Sequence, residues 1–201
     1  RKLESENAHV WSCPLIINKA TGKKFGKSEE GTVWLDSKMT SPFKMYQFWL
    51  NVDDEGIGDY LKIYTEIQKE EFDELMLKFN EDRSGRSAQK YLAFEVTKLV
   101  HGSEVAESVK RISEVLFGNR EASELIIEDF KALSSELPSS DLADVLEFLV
   151  STDLVKSKGE ARRFIEQGAI SVNGQKIDDF ELKLKSLSLV KRGKNSFAVK
   201  I

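Results

Sequence analysis

The 201-residue chain is 40% hydrophobic and 32% charged, with a net charge of −4. That is enough apolar material for real cores, but no single run approaches the roughly 18 residues needed to span a bilayer. One cysteine, Cys13, excludes a disulfide within the chain, fits a reducing compartment and reads as a small buried apolar group.

Charge is unevenly placed. Residues 1–51 carry 8 basic and 5 acidic groups, residues 52–140 carry 11 and 20, and the stretch from Lys156 onward carries 11 and 5. A polyanion is steered to the two ends and away from the middle. The opening Arg1-Lys2-Leu3-Glu4 has neither an initiator Met nor a following apolar segment, which predicts no signal peptide and a piece of something longer.

Leu15-Ile16-Ile17 and Thr32-Val33-Trp34-Leu35 predict strand, loop, strand around Lys24-Phe25-Gly26-Lys27-Ser28. Gly22 and Gly26 let the backbone take positive φ, and Lys23, Lys24 and Lys27 supply ammonium groups, so a polyphosphate is the natural ligand. A nucleotide-binding P-loop is disfavoured. Gly22 is one residue too close to Gly26, and Glu29-Glu30-Gly31-Thr32-Val33 offers no amphipathic helix to hold the anion. A solvated basic hairpin loop is the plainer alternative.

Ser41-Pro42 reads as a helix start, and Phe43, Tyr46 and Trp49 or Leu50 form an apolar stripe over 43–50. Further helical patterns run over 57–67, 70–79, 87–100, 104–117 and 123–133. Together they predict an antiparallel helical bundle. His101 precedes Gly102 at a helix end, where a partly protonated imidazole favours the dipole. The segment 134–140, with Pro138 and four serines, reads as a linker between domains that move relative to each other.

Beyond it, Leu142, Val145, Leu146 and Leu149 form a helical stripe, and Ser157-Lys158-Gly159-Glu160 is a capping box opening a helix that Gly168 ends. Ile170-Ser171-Val172, the turn Asn173-Gly174 and Gln175-Lys176-Ile177 predict a hairpin. A second strand pair, 188–190 and 196–199, is joined by Lys191-Arg192-Gly193-Lys194-Asn195. Lys158, Arg162 and Arg163 on one helix face beside Lys176 make a groove suited to a phosphate backbone. A solvated basic face is the alternative.

Lys24 to Ser28, followed by Glu29-Glu30-Gly31-Thr32-Val33-Trp34-Leu35-Asp36, Thr40-Ser41-Pro42-Phe43 and Tyr46-Gln47-Phe48-Trp49, resembles the second signature loop (KMSKS type) of class I aminoacyl-tRNA synthetases. The continuation resembles the bacterial or organellar tyrosyl branch, through Ala88-Gln89-Lys90 and Glu95 to Gly102. The pattern Ser157-x-x-x-Ala161-Arg162-x-x-Ile165-x-x-Gly168-x-Ile170-x-Val172-Asn173-Gly174 resembles a small RNA-binding domain shared with a ribosomal protein and pseudouridine synthases.

The resemblance implies a mainly α chain with a small α+β domain. Residues 1–38 would be the tail of a Rossmann-like catalytic domain, 39–135 a helical anticodon-binding domain, 136–140 a linker, and 141–201 an RNA-binding domain of two helices and short antiparallel strands. It implies Lys24 and Lys27 as catalytic groups, and Lys24, Phe25, Gly26, Lys27 and Ser28 as ATP contacts. Lys156, Lys158, Arg162, Arg163, Asn173, Lys176, Lys191, Arg192 and Lys194 would be RNA contacts.

ATP would be a substrate accompanied by Mg2+, with no prosthetic group and no protein-bound metal. The partners implied are tRNA(Tyr), tyrosine and a second subunit, in the cytoplasm or an organellar matrix. The family's His-x-Gly-His signature is not among these residues, whose histidines are His9 and His101, so the 201 residues alone are expected to be inactive. A free-standing structured-RNA-binding module is the competing expectation.

Overall fold

The computed structural model describes residues 9–12, 15–17, 19, 22 and 33–201. Cys13 and the lysine loop, Lys24 to Ser28, lie outside the described residues. Of the expected strand pair around that loop, Ile17 is a single bridge residue and 33–35 is not strand. The Trp34 amide is turned instead to Thr40 Oγ1 at 3.0 Å.

Helix α1, Pro42–Leu50, starts where expected: Ser41 Oγ accepts from the Lys44 amide at 3.2 Å and Pro42 takes the first turn. α2 spans Ile57–Tyr64, short of the predicted 67, because the Thr65 hydroxyl donates back to the Leu61 carbonyl at 2.7 Å and Thr65 turns extended. α3 spans Lys69–Glu81, α4 Ser87–His101 and α5 Ser103–Phe117. Gly102, at φ 89, makes the break between the last two.

Tyr46, Trp49, Tyr60, Leu61, Phe79, Leu92 and Val96 close one core between α1, α2, α3 and α4. Each large apolar side chain buried there stabilises the fold by about 1.5–3 kcal/mol. Arg86, held at φ 53 before α4, donates to the Leu50 carbonyl at 2.8 Å and 3.1 Å and to the Val52 carbonyl at 3.0 Å. It thereby satisfies oxygens that the end of α1 leaves open.

Two expectations change at the end of the bundle. The helix predicted over 123–133 is a 3-10 turn, Ala122–Glu124, followed by α6, Ile127–Glu136. Asp129 restarts the chain as helix by accepting from the Ile126 amide at 3.0 Å.

The predicted linker at 136–140 carries β1, Ser139–Ser140, paired in parallel with β5, Ser196–Lys200. Apolar burial overrides the serine-rich composition here: Phe130 and Leu133 of α6 join Leu189, Phe197 and Val199 in a shared core that also takes in Ile112 and Leu116 of α5. α6 therefore packs on both α5 and the sheet, and Lys200 Nζ reinforces the joint by donating to the Asp141 carbonyl at 2.5 Å.

The remaining elements are α7, Val145–Ser151; α8, Lys158–Glu166; β2, Ile170–Val172; β3, Gln175–Lys176; and β4, Ser188–Arg192. The strand order is β1-β5-β4-β2-β3. Every pair but the first is antiparallel, so the sheet is mixed and not wholly antiparallel as expected.

Side chains alternate across it. Ile170, Val190 and Ala198 face the core under α7 and α8, while Leu189, Phe197 and Val199 face α5 and α6. The sheet is thus covered on both sides. Among the described residues no helix is long and apolar enough to cross a membrane.

Candidate nucleic-acid interface

The described flanks of the lysine loop are held against the bundle. Ile16 and Val33 pack onto its core, and Lys19 pairs with Asp59 at 2.5 Å.

In the terminal module the sequence places α8 by its cap. Ser157 Oγ accepts from the Glu160 amide at 3.2 Å. Glu160 reaches back one residue further than the capping box predicts, to the Lys156 amide at 2.7 Å. Gly168, at φ 62, then turns the chain out of α8, and Ala169 donates to the Phe164 carbonyl at 2.9 Å. Lys156, Lys158, Arg162 and Arg163 are all exposed along this helix and its entry. Lys158 pairs with Glu147 at 2.9 Å; both side chains are half exposed, so the pair is weak and readily exchanged for a phosphate.

Tertiary structure joins this helix to a distant strand. The guanidinium of Arg163 lies 5.9 Å and that of Arg192 5.5 Å from the centroid of the Phe164 ring. The β4–β5 hairpin is fixed there because the Gly193 amide donates to the Ala169 carbonyl at 2.8 Å, which presents the exposed Lys194 beside α8. This face offers planar cations on an aromatic ring, an arrangement that serves both phosphate and base contacts.

The other predicted contacts are distributed differently. Register sets Lys176, Ser171, Lys191 and Phe197 in one cross-strand row, on the face opposite Arg192. Lys191 Nζ sits 5.2 Å from the centroid of Phe197. Lys176 Nζ nevertheless comes to 3.7 Å from where a Cβ on Gly168 would stand, so its end reaches the exit of α8.

Asn173 has a framework task. At φ 49 it donates its amide to the Leu189 carbonyl and accepts the Leu189 amide on Oδ1, both at 2.8 Å. Lys176 thus reaches the exit of α8, while Lys191 lies on the face of the sheet opposite Arg192.

His101 departs from expectation. Burial lowers its pKa and so favours the neutral ring, and Nε2 has no partner among the described residues. Among those residues there is also no group of three or more His, Cys, Asp or Glu side chains placed to hold a metal ion.

Sequence reasoning missed the turn at 118–121, which leads from α5 toward α6 and the sheet. Arg120 Nε there meets Glu114 and Glu124, each at 3.2 Å. Cavities of about 720 Å³ and about 340 Å³ open on its two sides. The helical pattern over 104–117 ends at this turn in the sequence, but the elements facing it are not legible there.

Residues 1–118 match the family described as tRNA synthetases class I (W and Y), and residues 127–199 match a tyrosine–tRNA ligase SYY-like C-terminal domain. The unmatched residues, 119–126, run from that turn to the start of α6. Tyrosine–tRNA ligases of Streptococcus pyogenes serotypes M5 (strain Manfredo) and M49 (strain NZ131) are each 40% identical over 211 residues, covering 99% of this chain and 50% of theirs. The chain thus spans about half the length of the curated relatives it matches. A C-terminally truncated mitochondrial tyrosyl-tRNA synthetase of Aspergillus nidulans is 36% identical with a TM-score of 0.44, over 45% of this chain and 25% of that one.

Proposed function

Because the chain belongs to the class I tRNA synthetases (W and Y), we propose that its 201 residues are the C-terminal part of a tyrosine–tRNA ligase, which joins tyrosine to tRNA(Tyr) through tyrosyl-adenylate at the expense of ATP. The observation that carries this reading is the succession of two matches, residues 1–118 and then 127–199, the second being to a tyrosine–tRNA ligase C-terminal domain.

In the activation step the tyrosine carboxylate attacks the α-phosphorus of ATP and pyrophosphate leaves. Lys24 and Lys27 stabilise the charge that develops on that leaving group, a role needing no proton transfer. Phe25, Gly26 and Ser28 complete the ATP-side loop, and Mg2+ arrives with the nucleotide. The RNA side rests on Lys156, Lys158, Arg162, Arg163 and Lys176, with Lys191, Arg192 and Lys194 on the second hairpin and Asn173 holding the turn between them.

The complete enzyme is a homodimer in the cytoplasm or an organellar matrix, and the 201 residues alone do not aminoacylate. In the complete enzyme, Lys27→Ala slows pyrophosphate exchange by about 100- to 1,000-fold while leaving tyrosine affinity unchanged. Equal exchange rates would remove Lys27 from the mechanism. The isolated chain binds tRNA(Tyr) more tightly than unrelated structured RNAs; indifference between them points instead to a general RNA-binding module.

A further inference from the structure

The cations gathered around α8 are not equally available to a phosphate. Among the described residues, Lys156, Arg162, Arg163, Lys176, Arg192 and Lys194 have no ion pair, whereas Lys158 Nζ is held by Glu147 of α7 at 2.9 Å. The two are 11 residues apart on different helices, so no helical period brings them together; the packing of α7 on α8 does.

The fold has little use for this pair. Val145, Phe148 and Leu149 of α7 are buried with Ala161 and Ile165 of α8, and that apolar contact holds the two helices together. The pair lies outside it: the Lys158 and Glu147 side chains are 55% and 47% exposed, and water screens an attraction at that exposure. Lys158 is moreover the first residue of α8, where the helix dipole disfavours a cation. A lysine serving helix stability would stand at the other end.

The carboxylate, by contrast, is fixed in place. Glu147 sits in the first turn of α7, its amide donating to Asp144 Oδ1 at 3.0 Å. Asp144 Oδ2 accepts from Lys183 Nζ at 2.9 Å, and the Val145 amide donates to the Leu182 carbonyl at 3.2 Å, which ties the start of α7 to a distant part of the chain. A carboxylate carried on such a turn stays within reach of Lys158 after a phosphate has displaced it, and an intramolecular competitor acts at high effective concentration.

Resting on the RNA-binding reading above, we propose that Glu147 is a built-in competitor for the RNA phosphate at Lys158, one that weakens the grip of the α8 face and hastens release of the RNA. Each time the contact to Lys158 opens, Glu147 competes with the returning phosphate for the ammonium. Arg162 and Arg163 have no such competitor, so the effect is confined to the entry of the helix.

The test measures binding and dissociation of a fluorescein-labelled tRNA(Tyr) transcript with the 201-residue chain across a salt series. Glu147→Gln keeps the shape of the side chain and removes its charge. It is expected to tighten binding about three- to fivefold, mainly by slower dissociation, and to steepen the salt slope by about one, because Lys158 then meets a phosphate without a rival. In a Lys158→Gln background the same change leaves affinity within about 1.5-fold. Thermal melts confirm that each variant is folded.

If the wild type binds and Glu147→Gln binds and dissociates just as it does, the competitor is excluded and the RNA-binding reading survives. An equal gain with and without Lys158 means that Glu147 acts through bulk charge, which also overturns the proposal. Weaker binding by Glu147→Gln makes the pair a support for the RNA face and overturns it as well. If the wild type binds no RNA at all, both readings fall.

Discussion

Replacing Asp129 with alanine tests the joint between the bundle and the sheet unit most directly. Its carboxylate is fully buried and accepts from Ser108 Oγ at 2.6 Å, Arg111 Nε at 2.6 Å, Arg111 Nη2 at 2.9 Å and the Ile126 amide at 3.0 Å. Asp129→Ala deletes all four contacts and strands Arg111, whose side chain is only 20% exposed.

Removing one partner of a buried pair costs about 3–5 kcal/mol. The partial exposure of Arg111 puts the value near the lower end, about 3 kcal/mol. With a urea dependence of about 2 kcal/mol per molar, the midpoint falls by about 1.5 M. Replacing the pair together, Asp129→Leu with Arg111→Met, leaves no charge unpaired and recovers most of the loss. A midpoint shift under about 0.5 M for Asp129→Ala, or a double variant no better than the single, would refute this reasoning.

The pH dependence follows from the same contacts. Burial pushes the Asp129 carboxyl upward, but the hydrogen bonds from Arg111, Ser108 and the Ile126 amide outweigh it and hold the group below its ordinary value. Its contribution is therefore present above the unfolded aspartate pKa of about 3.9 and is lost as the pH falls toward the folded value. Urea midpoints of the wild type should drop through that window while those of Asp129→Ala stay flatter.

Three other outcomes follow from the geometry. Arg163→Gln combined with Arg192→Gln strips both guanidinium groups from Phe164 and should reduce the salt slope of tRNA binding by about two, read from the same salt series. Asn173→Gly keeps the positive φ but loses the Oδ1 that accepts the Leu189 amide, so urea unfolding should register about 1 kcal/mol of destabilisation with RNA affinity preserved; weakened binding at full stability would make Asn173 a contact instead. Gly118→Ala places a Cβ 2.7 Å from the Glu114 carbonyl oxygen, and calorimetry should show a loss of about 1–3 kcal/mol from the forced backbone shift. An unchanged melt would mean that the turn relaxes freely.

At several element ends a local rule decided the outcome and was legible in the sequence. Ser41-Pro42 and Ser157 begin helices because a hydroxyl can accept a free first-turn amide, and Gly102 and Gly168 stop them because they reach positive φ without strain. Asn173-Gly174 sets the hairpin by the same logic. The basic residues of α8 were likewise legible from helical period.

Tertiary structure alone decided what depends on partners far apart in sequence. Ser139–Ser140 looks like linker, yet forms a strand because β5, some sixty residues later, offers its edge. That α6 bridges bundle and sheet is fixed by Phe130 and Leu133 meeting Phe197 and Val199, and the meeting of Arg163 with Arg192 over Phe164 depends on the bond from the Gly193 amide to the Ala169 carbonyl. Capping and turn chemistry act over three or four residues and are written in the chain. Burial and cross-strand register are settled only when distant apolar surfaces find each other, because the free energy belongs to the contact and not to either segment.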